Sequence, residues 1–178
     1  MERRMSSTVI IDDGSSVIQN VINSEIQLMK QFEPNHALRF KEWFVANATL
    51  YKNIDKELSN ILCLTKNAKI KSCYANTFRT WNHSCKYFEG YVVCFGIPIE
   101  HAWLIKDEQV IDVTLAINGS NLIKQMKKYK MEIEECERFS VEYYGVEIPI
   151  DFIRTNTVKR KYYGNNLFDY YLNQSGEK

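Results

Sequence analysis

Cys73, His101 and Asp112 follow one another in the order that thiol-based acyl chemistry needs. Cys73 opens Cys73-Tyr74-Ala75-Asn76, just after Lys69-Ile70-Lys71-Ser72. His101 lies in Glu100-His101-Ala102-Trp103, and Asp112 in Val110-Ile111-Asp112-Val113-Thr114. In such a set the thiolate attacks a carbonyl, the imidazole moves the proton and the carboxylate orients the imidazole. A carboxylate among Val and Ile is costly to bury without a partner, and His101 is the natural one.

Positioning these groups makes demands on the elements around them. If 74–81 is a helix, Cys73 stands at its start, where the helix dipole favours a thiolate and Lys69 and Lys71 add to the effect. The Cys73 amide would then point at a developing oxyanion, with Asn67, Asn76 and Trp81 as candidates for a second donor by chemistry alone. Residues 86–95, 99–105 and 109–115 read as three strands, aromatic and β-branched, with a corner at 96–98 and a turn at 106–108. A two-residue Asp107-Glu108 loop would pair 106 with 109, so that opposed residues sum to 215. His101 would then face Thr114, with Asp112 diagonal to it on the same face. A three-residue loop would shift the register and send Asp112 to the far face.

The rest of the chain supplies the frame. Val17, Ile18, Val21, Ile22 and Ile26 recur at helical spacing after Ser15 and Ser16, and Pro34-Asn35 ends that run. Leu38, Phe40, Trp43, Phe44 and Ala48 predict a second helix, and 55–64 a third. Residues 120–130 read as a basic helix, 139–153 as strand and loop, and 166–172 as a short terminal helix. Helices first and then an antiparallel meander define an α+β class, with N-terminal helices packed on an antiparallel β-sheet. The expected organisation is a loose leader over 1–14 and one domain over 15–178. Within the domain, the helical part is 15–81, the sheet part 86–160, and a short helix closes the chain.

Composition narrows the classes. The chain has 178 residues, 45% hydrophobic, with a formal net charge of +1. That length suffices for a proper core, and that charge lacks the global basic field of nucleic-acid binders. The Lys clusters at 124–130 and 159–161 read as solvated faces. No stretch approaches the roughly 18 apolar residues of a membrane span. The N-terminus has no apolar run of the kind a signal peptide carries. Five cysteines, odd in number and irregularly spaced, fit a reduced, cytoplasmic protein. Cys63, Cys85, Cys94 and Cys136 read as small buried hydrophobes. Trp103 reads as packing, His83 as surface, and Glu100 as facing away from His101. Tyr143-Tyr144 and Tyr162-Tyr163 read as surface packing rather than base stacking. No Cys or His pairs have zinc spacing and no Gly-rich phosphate loop occurs, so no metal and no cofactor are expected.

Cys73, Gly90-Tyr91, His101-Ala102-Trp103 and Asp112-Val113-Thr114 together resemble the catalytic core of the transglutaminase-like superfamily. That superfamily is similar in fold to papain-like cysteine peptidases and arylamine N-acetyltransferases. The longer string Tyr87-Phe88-Glu89-Gly90-Tyr91, Pro98-Ile99-Glu100-His101-Ala102-Trp103 and Val110-Ile111-Asp112 also resembles bacterial and phage members. The resemblance covers roughly 70–118, extending toward Tyr144-Gly145-Val146. Val113 stands where the superfamily usually has Pro. The resemblance implies a transglutaminase-like (papain-like) core with Cys73 as nucleophile, His101 as base and Asp112 as orienter. The expected activity is cleavage or transfer of an amide or acyl group, of protease, amidase or deamidase type, on a protein, peptide or small amide. Water or an amine would be the acceptor. The alternatives are a thioester-dependent acyltransferase, with 159–161 serving its donor, and a non-enzymatic host-targeting binder on the same fold.

Overall fold

Ser16 and Glu142, 126 residues apart, anchor the first helix to the sheet: the Ser16 hydroxyl donates to Glu142 Oε2 at 2.9 Å and accepts from the Gln19 amide. The computed structural model of the chain describes residues 16–32, 35–94, 97–118 and 141–176, without the side chain of Cys94. The expected leader and basic helix, and Cys136, lie outside these residues.

Helix α1 (Val17–Met29) buries Ile18, Ile22 and Ile26, one apolar stripe at a spacing of four. Helix α2 (His36–Asn47) is capped by Asn35, whose side chain accepts from Leu38 N at 2.9 Å, and buries Leu38 and Phe44. A short strand, β1 (Thr49–Tyr51), follows. It lies inside the part expected to be wholly helical and is a correction to that reading. Three residues give too short an alternation to be seen against the flanking helices. Helix α3 (Lys56–Thr65) is capped by Asp55 and buries Ser59 and Cys63. Helix α4 (Cys73–Thr80) buries Asn76, Thr77 and Thr80.

Strands β2 (Lys86–Cys94), β3 (Ile97–Lys106) and β4 (Gln109–Ile111) form the expected meander, but β4 is shorter than 109–115. Pairing stops at Ile111, and residues 113–118 form a helix, α5. The reason is Asp112, whose Oδ1 accepts from the amides of Thr114 and Leu115 at 2.9 and 2.8 Å and so caps that helix. Strand β5 (Glu142–Glu147) inserts beside β2, giving an antiparallel five-stranded sheet in the order β1-β5-β2-β3-β4. Helix α6 (Ile150–Arg160) occupies the end of the expected sheet part, another correction: Pro149 at its N-cap ends the strand, since proline cannot donate to a ladder. Helix α7 (Leu167–Ser175) closes the fold.

The two faces of the sheet are both covered. Tyr87, Val93, Ala102, Leu104, Tyr144 and Val146 pack with the apolar stripes of α1 and α2. Phe88, Val92, Trp103, Ile105, Val110 and Tyr143 form a second core on the other face. The architecture is mixed α/β, with seven helices and the five-stranded sheet among the described residues. None of the described helices is long and apolar enough to cross a membrane.

Candidate active site

The β3–β4 hairpin sets the register. Lys106 pairs with Gln109, Ile105 with Val110 and Leu104 with Ile111, so Asp107-Glu108 is a two-residue loop. Both loop residues take left-handed φ, at 49° and 59°, as the twist-matching type I′ turn demands. That register puts Asp112 on the His101 face, one residue beyond the last pair. His101 Nε2 donates to Asp112 Oδ2 at 2.6 Å, and both residues are buried.

Cys73 opens α4, and its thiol lies close enough to His101 to act on the charge of the imidazole. With Nε2 committed to Asp112, Nδ1 is the ring nitrogen left for the thiol. The helix is held in place by two side chains on its inner surface. Thr77 Oγ1 donates to the Ala102 carbonyl of β3 at 2.9 Å. Asn76 reaches the loop before Cys73 and the helix after Asp112: its Oδ1 accepts from Lys69 N, and its Nδ2 donates to Lys69 O and to Thr114 Oγ1.

This corrects the expectation for Asn76 as an oxyanion donor. Both of its amide hydrogens are used, so it braces the loop before Cys73 instead. Trp81 is likewise committed, donating Nε1 to Cys85 O at 2.8 Å. Asn67 is exposed, at a left-handed turn with φ 50°, and nothing ties its side chain to Cys73.

Sequence reasoning missed three groups. Ser59 Oγ accepts from the Asp112 amide at 3.0 Å, fixing the backbone of the carboxylate from α3. Tyr143 of β5 donates its hydroxyl to Asp112 Oδ2 at 3.0 Å; it and Tyr144 are buried, which corrects their reading as surface packing, because β5 is an inner strand covered on both faces. Gly145 lies across from Gly90, which pairs with His101 on its other side. A Cβ on Gly145 would come within 2.5 Å of Trp103 Cη2, so the glycine lets the indole lie down beside the imidazole, whose ring centroid is 6.4 Å away. Trp103 is thus packing, as expected, but packing that supports His101.

The electrostatics follow from this geometry. Burial disfavours a charge on His101, but the Asp112 carboxylate facing it, their hydrogen bond and the contact with Cys73 outweigh that and push its pKa up to about 10. Burial likewise opposes ionisation of Asp112, yet His101, the Leu115 amide and Tyr143 hold its carboxyl below the usual carboxylate range. The His101–Asp112 pair is therefore ionic at neutral pH.

Behind the sheet lies a second buried carboxylate. Glu89 accepts from the Asn166 backbone amide at 2.6 Å, the Asn166 side chain at 2.9 Å and the Tyr87 hydroxyl at 3.0 Å. It holds the start of α7 against β2. Glu100 is exposed and accepts from Asn165 Nδ2, facing away from His101 as expected. Cys63 and Cys85 are buried free thiols.

Compared with protein-family models, with curated proteins and with solved structures, the chain matches none.

Proposed function

We propose that this chain is a thiol-dependent enzyme that cleaves or transfers an amide or acyl group through Cys73, His101 and Asp112. The observation that carries the reading is the buried His101–Asp112 pair, in which Nε2 donates to the carboxylate at 2.6 Å, with the half-buried Cys73 at a helix start beside the same imidazole. The likeness of Cys73, Gly90-Tyr91, His101-Ala102-Trp103 and Asp112 to the transglutaminase-like, papain-like core supports it independently.

In this mechanism the Cys73 thiolate attacks the substrate carbonyl and forms an S–C bond. The Cys73 amide at the start of α4 faces the developing oxyanion. His101 passes its Nδ1 proton to the leaving amine as the C–N bond breaks, leaving an acyl-thioester. His101 then takes a proton from water, whose oxygen attacks the thioester and releases the acid and the thiolate. Asp112 keeps the imidazole in the tautomer and orientation both steps need. Hydrolysis is favoured over transfer because water needs no dedicated acceptor pocket. Nothing favours a thioester donor at 159–161, since Arg160 is committed to Asp169 and to the Asn165 carbonyl. The protein, peptide or small amide substrate belongs to a reduced, cytoplasmic compartment.

The test is trapping of the acyl-thioester with p-nitrophenyl acetate, read by mass spectrometry after acid quench. Acetyl on Cys73, absent in Cys73→Ala and in His101→Ala, supports the mechanism. Acetylation spread over lysines with none on Cys73 overturns it.

A further inference from the structure

We infer that Tyr143 is a positioning residue of the same site, a fourth member that governs Asp112 as Asp112 governs His101. The inference rests on the thiol-enzyme reading.

Tyr143 comes from β5, a strand that contributes none of the three reacting groups. Its hydroxyl donates to the same oxygen, Oδ2, that accepts from His101 Nε2, at 3.0 and 2.6 Å. The other oxygen is taken by the Thr114 and Leu115 amides. Each oxygen of the carboxylate therefore accepts two donors, which leaves little freedom to rotate. The Tyr143 ring is held edge-on to Trp103, with centroids 5.2 Å apart, and the indole in turn lies along His101. The hydroxyl is delivered by a ring that cannot easily move.

Such a donor has a chemical consequence beyond packing. A hydrogen bond to the ionised carboxylate stabilises the charge and resists protonation. Among the described residues, the titratable groups facing Asp112 are His101 from β3 and Tyr143 from β5. α3 brings the neutral Ser59 hydroxyl to its backbone amide, α5 brings backbone N–H groups, and Cys73 of α4 acts on His101 rather than on Asp112. Without the phenol, Asp112 accepts a proton at higher pH, and His101 loses its counter-charge with it.

The experiment measures iodoacetate labelling of Cys73 by mass spectrometry between pH 3 and 8. It compares wild type, Tyr143→Phe and protein carrying 3-fluorotyrosine at 143. Phenylalanine keeps the ring and removes the donor; the fluorinated phenol is a stronger donor. The expected result is an acid limb moved up by about half to one pH unit in Tyr143→Phe, and down in the fluorinated protein. A merely structural tyrosine would lower the labelling plateau and leave the limb in place. Limbs that coincide in all three proteins overturn the inference while the triad stands. A wild-type Cys73 that never labels faster than the other thiols overturns the triad reading, and this inference with it.

Discussion

Thr77 donates its hydroxyl to the backbone carbonyl of Ala102 at 2.9 Å, joining the helix that begins at Cys73 to the strand that carries His101. The bond exists because β4 stops pairing at Ile111, opposite Leu104, so β4 provides no donor for the Ala102 carbonyl on that edge of β3. Thr77 lies one helical turn after Cys73, and its partner Ala102 is the residue after His101, so the bond sets the distance between Cys73 and His101. Thr77→Val keeps the shape and strands a buried carbonyl. It should cost about 1–3 kcal/mol in urea unfolding. It should also slow Cys73 alkylation at pH 7 by about tenfold, because a displaced helix start loses its imidazole contact. Unchanged alkylation would show that α4 is held by other contacts.

The Asp107-Glu108 turn carries strain that the sequence does not relieve. Both residues adopt left-handed φ, which favours Asn and Gly. The double variant Asp107→Asn, Glu108→Gly should raise stability by about 1 kcal/mol, read as a higher denaturation midpoint with no change in slope. Cys73 reactivity should stay as in wild type, because the register, and with it the Asp112 position, is preserved.

The hairpin also shows what the sequence made legible. Helices α1 to α3 and the meander follow from apolar spacing; the 215 register is one of two that the turn allows, and the two-residue loop of the structure selects it. The meeting of His101 with Asp112 follows from that register. The end of β4 does not, because Val113 and Leu115 continue a strand-like alternation that the capping carboxylate of Asp112 overrides. Asn76 looked like a free amide because its partners, Lys69 and Thr114, are brought to it only by tertiary packing. Ser59 and Tyr143 had no local signal at all: they lie 53 and 31 residues from the carboxylate they serve. The pairing of Gly90 with both His101 and Gly145 was equally out of reach, although Gly90-Tyr91 marked the place.

Glu89 should give the fold an acid-favouring term. Burial pushes its pKa up from 4.5 to about 7, against the hydrogen bonds from Asn166 and Tyr87. The folded state then holds a proton that the unfolded chain has released. This contribution is complete below pH 4.5 and is lost as pH rises toward 7. Glu89→Gln removes the titrating group while keeping an acceptor. The difference in Tm between Glu89→Gln and wild type should grow in favour of the variant from pH 4.5 to pH 7. A constant difference would show that Glu89 does not titrate in that window.

The His101–Asp112 pair should act in the opposite windows. His101 is raised from 6.5 to about 10, so its contribution is full below pH 6.5 and is lost as pH climbs through 10. Asp112 is lowered from 3.8, so its contribution holds above that value and is lost as pH falls through the folded one. Asp112→Ala removes the helix cap and leaves His101 without its counter-charge. It should cost about 3–5 kcal/mol at pH 5–6, and less at pH 10, measured by urea unfolding across that range. An equal cost at both pH values would mean that the pair is not ionic.

The central claim is that His101 makes Cys73 a nucleophile, and it is tested most directly by thiol alkylation across pH 5–9, read for each cysteine by mass spectrometry in wild type and His101→Ala. The account predicts that Cys73 labels at pH 6 at least about ten times faster than the buried Cys63 and Cys85, where an ordinary thiol with a pKa near 8.5 is almost unreactive, and that His101→Ala abolishes the advantage. Labelling of Cys73 no faster than its neighbours, or unchanged in His101→Ala, would contradict it.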